Sequence, residues 1–161
     1  MSFINGEIRI LYIKKDGLYY PIGCLTSNSF NETVDMIPTT TRDNPNGWTT
    51  SRPTSQSYDI SFDGLVDSDT ELTNTVTYKH LKAFKRSRTL IEWRIADDGL
   101  TNFEEGSGYI TGLSDSASID EFVSFNGSIE GFGEPVNGEL EALLMEGGEE
   151  FLTEEDNNII I

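Results

Sequence analysis

The chain has one cysteine, Cys24, and one histidine, His80, in 161 residues. A lone cysteine closes no disulfide within the chain, which suits a reducing compartment. It also excludes a Cys/His zinc cluster and any catalytic site that needs two histidines in one chain. Positive charge is scarce, with 11 Lys+Arg against 28 Asp+Glu and a formal net charge of −17. The deficit is uneven: residues 1–94 carry all 11 bases and 11 acids, whereas residues 95–161 carry the other 17 acids and no base. Such a field repels phosphate, so tight nucleic-acid binding through a broad basic surface is excluded. No run of apolar residues is long enough to span a bilayer. The opening MSFINGEIRI lacks a basic region followed by an apolar one, so no signal peptide is expected. A G-x-S-x-G elbow, a Walker loop and a recognisable pair of catalytic carboxylates are all missing, so no enzyme is expected.

What is present is β-rich. Apolar residues make up only 36% of the chain, but aromatics reach 11%, and Thr, Ser and Gly are plentiful, a composition that favours strands. Residues 7–13 (EIRILYI) read as a strand, turned at Lys15-Asp16-Gly17 into a second extended run, Leu18 to Cys24. Residues 28–37 form a weaker strand with Phe30, Val34 and Met36 on one face. Residues 38–53 (PTTTRDNPNGWTTSRP) read as a loop, unusually long for a compact domain, as functional or mobile loops are. Residues 56–63 alternate, with Tyr58, Ile60 and Phe62 opposed to Ser57, Asp59, Ser61 and Asp63. Residues 91–95 and 122–130 alternate likewise, and 107–114 is a further strand reached through a turn at Asp97-Asp98-Gly99.

One segment has helical period. From Val76 to Arg88, Val76, His80, Leu81, Ala83 and Phe84 fall on one side and Lys79, Lys82, Lys85 and Arg86 on the other. Thr73 or Asn74 would cap it, and Asp67, Asp69 and Glu71 would sit at the positive end of its dipole. These acids alternate as in a calcium loop, but the Gly at the sixth position and the Glu at the twelfth are missing, so no metal site is assigned. His80 and Cys24 are read as packed residues and the basic helix face as solvated. The expected fold is mainly β, a sandwich or barrel of antiparallel strands with one flanking α-helix at about 74–88. Residues 134–161 hold nine acids and no base and read as an acidic tail.

Several stretches recur together in a known order. They are Ile22-Gly23-Cys24-Leu25-Thr26-Ser27-Asn28-Ser29-Phe30, Thr39-Thr40-Thr41, Asn46-Gly47-Trp48, Ser57 to Val66 (SYDISFDGLV), and Phe125 to Pro135 (FNGSIEGFGEP). In this order and spacing the chain resembles the major tail protein, or tail tube protein, of long-tailed bacteriophages over residues 7–135. The resemblance implies a tail-tube β domain over residues 1–135, with residues 136–161 as an acidic C-terminal extension outside the match. It implies a structural virion protein without catalysis or cofactor. Hexameric rings would stack into a tube, assembled in the bacterial cytoplasm, through which DNA passes to the host. Its partners would be further copies of itself and other tail proteins (tape measure, tail terminator, distal tail). Genomic DNA would be a transient cargo, not specifically bound, and no membrane would be involved.

Within that picture the residues suggest roles. The long loop, with Arg42, Asp43, Asn46, Gly47, Trp48 and Arg52, is expected to reach a neighbouring subunit or ring. The helix cations Lys79, Lys82, Lys85 and Arg86 are expected to meet a neighbour's acids. Asp59, Asp63 and Glu130, on polar strand faces, are candidates for lining the lumen. The competing class is a soluble β-sandwich that binds carbohydrate or protein through exposed aromatics such as Tyr19, Tyr20 and Trp48.

Overall fold

The computed structural model describes residues 3–42, 46–68, 74–96 and 102–139. A 3-10 turn at Gly6–Ile8 precedes β1 (Ile10–Lys15), β2 (Leu18–Pro21), β3 (Leu25–Pro38), β4 (Ser51–Leu65), α1 (Tyr78–Ser87), β5 (Ile91–Ala96), β6 (Asn102–Ser116) and β7 (Ser124–Glu139). The expected order of strands and helix holds. All seven strands form one antiparallel sheet in the order β2-β1-β5-β6-β7-β4-β3. Asp16 and Gly17 both take positive φ, which gives the two-residue hairpin turn the pattern called for.

The sheet rolls on itself. Strands β5 and β3 are four steps apart in the sheet, about 19 Å if it were flat. Yet Trp93 of β5 and Phe30 of β3 stack with ring centroids 5.6 Å apart. The Asn28 side chain of β3 also donates to the Arg9 carbonyl, just before β1, at 3.2 Å. The two ends of one sheet thus supply the two layers of a barrel-like core, closed by side chains rather than by a continuous ladder. Alternation explains which residues go inside: Leu11, Ile13, Ile60, Phe62, Trp93 and Ile129 are fully or almost fully buried. Gly131 makes room for this packing, because a Cβ there would collide with the Tyr58 ring.

Helix α1 plugs an open mouth of the roll. The segment before it pairs through Val76 N–H to the Pro21 carbonyl (2.9 Å) and Gly23 N–H to the Val76 carbonyl (3.0 Å). Tyr78 and Leu81 are buried, and the Tyr78 ring lies 5.0 Å from that of Phe125. The helix is shorter than expected. Its N-cap is Thr77, not Thr73 or Asn74, because the Val76 bridge holds the backbone extended up to that point. Thr73 lies outside the described residues, as do Asp69, Glu71 and the Asp97-Asp98-Gly99 turn. Ala83 is exposed, since the buried face runs through Tyr78 and Leu81 and Phe84 is only half covered. Among the described residues no helix is long and apolar enough to cross a membrane.

Three local expectations are corrected. Residues 7–9 are a 3-10 turn and its exit, capped by the Asn5 side chain, so β1 begins only at Ile10. Cys24 is exposed, with φ of 56°, because it sits at the corner between β2 and β3 rather than inside a strand. Val34 and Met36 are exposed, because the register shift between them breaks the alternation and, among the described residues, no second layer covers that part of β3.

Candidate functional site

Two features stand apart from the core. The first is a hairpin arm. Strand β4 pairs with β7 only from Asp59 to Leu65, whereas its Ser51–Ser57 half pairs with β3 alone. Beyond Tyr58 the two strands therefore leave the sheet as a two-stranded ribbon, about 20 Å long before its 39–50 connection. Most of the expected 38–53 loop is this connection. Pro38 and Arg52-Pro53, however, belong to strands, which an edge ribbon allows because one side of each strand needs no partner.

The Thr- and Ser-rich sequence has a local reason. With no neighbouring strand, hydroxyls take up backbone groups and tie the ribbon together. Thr39 N–H donates to the Thr50 carbonyl (2.7 Å), Thr50 N–H to Thr40 Oγ1 (3.0 Å), Thr54 Oγ1 to the Asp35 carbonyl (3.0 Å) and Ser55 Oγ to the Asp35 carboxylate (2.6 Å). The ribbon carries exposed apolar groups that a two-stranded element cannot bury: Val34, Met36, Ile37 and, in the connection, Trp48 at 78% exposure. Arg42, Asn46, Gly47 and Arg52 are exposed on the same arm, and Gly47 has φ of 69°. Asp43 lies outside the described residues.

The second feature is the wet face of the rolled sheet, which divides into two halves. On β1, β5 and β6 charges are paired: Lys14 with Glu92 at 2.7 Å and Arg94 with Glu105 at 2.8 Å. The Arg94 guanidinium also lies between the Tyr19 and Phe103 rings, at 4.1 and 4.2 Å. On β3, β4, β7 and the C-terminal part of β6 the face is hydroxyls, amides and carboxylates. Ser27 donates to Asp63 (2.8 Å), Asn31 to Asp59 (3.2 Å) and Ser114 to Asn126 (2.5 Å), while Ser29 and Ser61 share a hydrogen bond at 2.5 Å. Asp59 and Glu130 are direct cross-strand partners. Asp59, Asp63 and Glu130 are all exposed, and among the described residues none has a Lys or Arg within ion-pair distance. The structure thus brings the three acids onto one face, as the alternation suggested.

The helix cations are partly dispersed. Lys79, Lys85 and Arg86 are exposed, but Lys82 is half-buried with its ammonium 4.7 Å over the Tyr78 ring. Lys85 and Arg86 fall in the last turn, where they complement the helix dipole. His80 accepts a hydrogen bond at Nδ1 from Thr77 N–H (3.1 Å), so it caps the helix rather than filling the core. Tyr19 and Tyr20 are engaged with Arg94, Lys14 and Lys15, which leaves them poorly placed as a sugar platform. Among the described residues no group of three or more His, Cys, Asp and Glu side chains is arranged to hold a metal.

Two exposed groups escaped the sequence reading. Ile119 and Phe122 project from the β6–β7 connection with essentially no cover. The signal was faint: residues 117–123 (ASIDEFV) follow neither period, and Phe122 precedes the strand rather than opening it.

The described residues thus form a rolled antiparallel sheet with one helix and a projecting two-stranded ribbon. The chain matches the family model of phage tail tube proteins over residues 4–137 and belongs to that family. It is accordingly a structural component of a virion tail, not an enzyme. No curated protein sequence matches it. Among solved structures it is similar to a chain in the virion of a native gene transfer agent particle. There the TM-score is 0.68 at 16% identity, covering 84% of this chain and 99% of that one. A chain from the tail of an empty gene transfer agent particle, refined with C6 symmetry, gives 0.70 at 14% identity, covering 83% and 98%. The SPP1 tail tube gives 0.67 at 12% identity, covering 84% and 79%. At these identities the likeness is one of fold.

Proposed function

We propose that the chain polymerises as stacked hexameric rings into a tail tube, the conduit for DNA into the host. The hairpin arm carries this reading. It holds Val34, Met36 and Ile37 exposed, with no layer over them among the described residues, and a second copy is the simplest cover. The arm residues Arg42, Asp43, Asn46, Gly47, Trp48 and Arg52 form the contact with the adjacent subunit or ring. Lys79, Lys85 and Arg86, with Lys82 beside them, meet acids of a neighbour. The wet face of β3, β4 and β7 lines the lumen, where Asp59, Asp63 and Glu130 repel DNA phosphates and keep the cargo sliding, softened by counterions. Other tail proteins cap and measure the tube, and assembly takes place in the bacterial cytoplasm. Residues 136–161, the first four of which complete β7, extend the domain as an acidic segment.

Deleting residues 42–50 tests the reading. The variant should keep its far-UV circular dichroism and lose the ability to form tubes in negative-stain micrographs. Normal tubes from that variant would overturn it. Tube yield should also fall steeply with salt if the helix cations contribute, and a flat response would remove them from the interface.

A further inference from the structure

The arm needs a surface to land on, and the molecule offers one at its opposite end. The β6–β7 connection exposes Ile119 fully and Phe122 at 85%, the most exposed large apolar pair outside the chain's first residues. Asp120 and Glu121 lie between them, and the turn is held by Ser118 Oγ donating to the Glu121 carboxylate at 3.2 Å. Among the described residues neither acid has an ion-pair partner. The arm lacks the chain's acidic excess and exposes two cations. Residues 33–57 contain Arg42 and Arg52 against Asp35 and Asp43, net zero in a chain of −17.

Position decides that the contact joins two copies. The arm leaves from the Ser51 end of β4, while the β6–β7 connection adjoins its Leu65 end, since Leu65 pairs with Ser124. Fourteen residues of extended chain separate the two by about 46 Å. One chain cannot bring its own arm to its own 117–123 turn. We infer that the arm of one copy docks on the Ile119/Phe122 turn of the next. Its apolar groups cover Ile119 and Phe122, while Arg42 and Arg52 face Asp120 and Glu121. Two different surfaces at opposite ends make a heterologous contact, which propagates instead of closing as a dimer. The inference rests on the proposed tube function and names the receiving surface that function requires.

The test uses the full chain in three sets of variants. Ile119→Asp with Phe122→Asp should abolish tubes; both residues are exposed, so the thermal midpoint of the dispersed protein should not move. Arg42→Glu with Arg52→Glu should likewise abolish tubes, and adding Asp120→Arg and Glu121→Arg should restore them. In a Cys24→Ser background, a mixture of Trp48→Cys and Phe122→Cys chains should give an oxidised heterodimer that neither gives alone. If the unaltered chain forms no tubes at all, the proposed function itself fails. If it forms tubes but the Asp variant does so equally well, or the mixture gives only homodimers, the docking surface is wrong while the function stands.

Discussion

Tyr58 ties the two layers of the rolled sheet together, and replacing it with phenylalanine measures that tie. Its hydroxyl donates to the Ser107 carbonyl at 2.5 Å and accepts from Trp93 Nε1 at 3.2 Å. Trp93 is completely buried, so without the hydroxyl its indole N–H is left in the core without a partner. An unsatisfied buried donor costs about 1–3 kcal/mol and the lost bond to Ser107 about another 1 kcal/mol, so Tyr58→Phe should destabilise by roughly 2–4 kcal/mol. For a domain of this size that is about 4–16 °C in thermal midpoint. The partner substitution sharpens the test. Trp93→Phe removes the donor itself, so on that background Tyr58→Phe should cost only about 1 kcal/mol. Urea unfolding of the four proteins, followed by far-UV circular dichroism on dispersed chain, gives the coupling, expected at about 1–3 kcal/mol. Strict additivity, or a loss below about 0.5 kcal/mol for Tyr58→Phe, would show that the indole finds another partner and would refute the reasoning.

His80 and Glu104 give two pH-dependent predictions of opposite sign. The His80 Nδ1 accepts from Thr77 N–H, so the ring is neutral in the fold, and burial together with Lys15 and Lys79 lowers its pKa below 6.5, opposed by Asp16. A depressed folded pKa gives stability that is present above the unfolded value and lost as pH falls through the folded one. The thermal midpoint should therefore drop below about pH 6.5, and His80→Gln should remove that step. Glu104 faces the inside of the roll, and burial, with Glu32 nearby, raises its pKa above 4.5 against the pull of Arg9. Its contribution is favourable below the unfolded pKa and lost as pH rises, so Glu104→Gln should raise the midpoint at pH 7 and change nothing at pH 3; no gain at pH 7 would remove the penalty.

Much of the fold was legible because alternation reports burial directly. Tyr58, Ile60 and Phe62 face the core and Asp59, Ser61 and Asp63 face water, as a period of two requires. The Asp16-Gly17 hairpin was legible for an equally local reason, since a two-residue turn needs positive φ. The net charge of −17 and the base-free second half come from composition alone. What the sequence left open depends on contacts distant along the chain. Met36 has the pattern of a core residue but lies half-exposed on a ribbon paired only within itself among the described residues. Thr77 caps α1 only because Val76 is already committed to a bridge with Ile22, 54 residues earlier. Whether the strands would make a sandwich or a barrel was open as well. The tertiary structure decided it by rolling one sheet until Phe30 met Trp93. Alternation tells a strand which of its faces is buried. Only the path of the whole chain tells it what lies opposite.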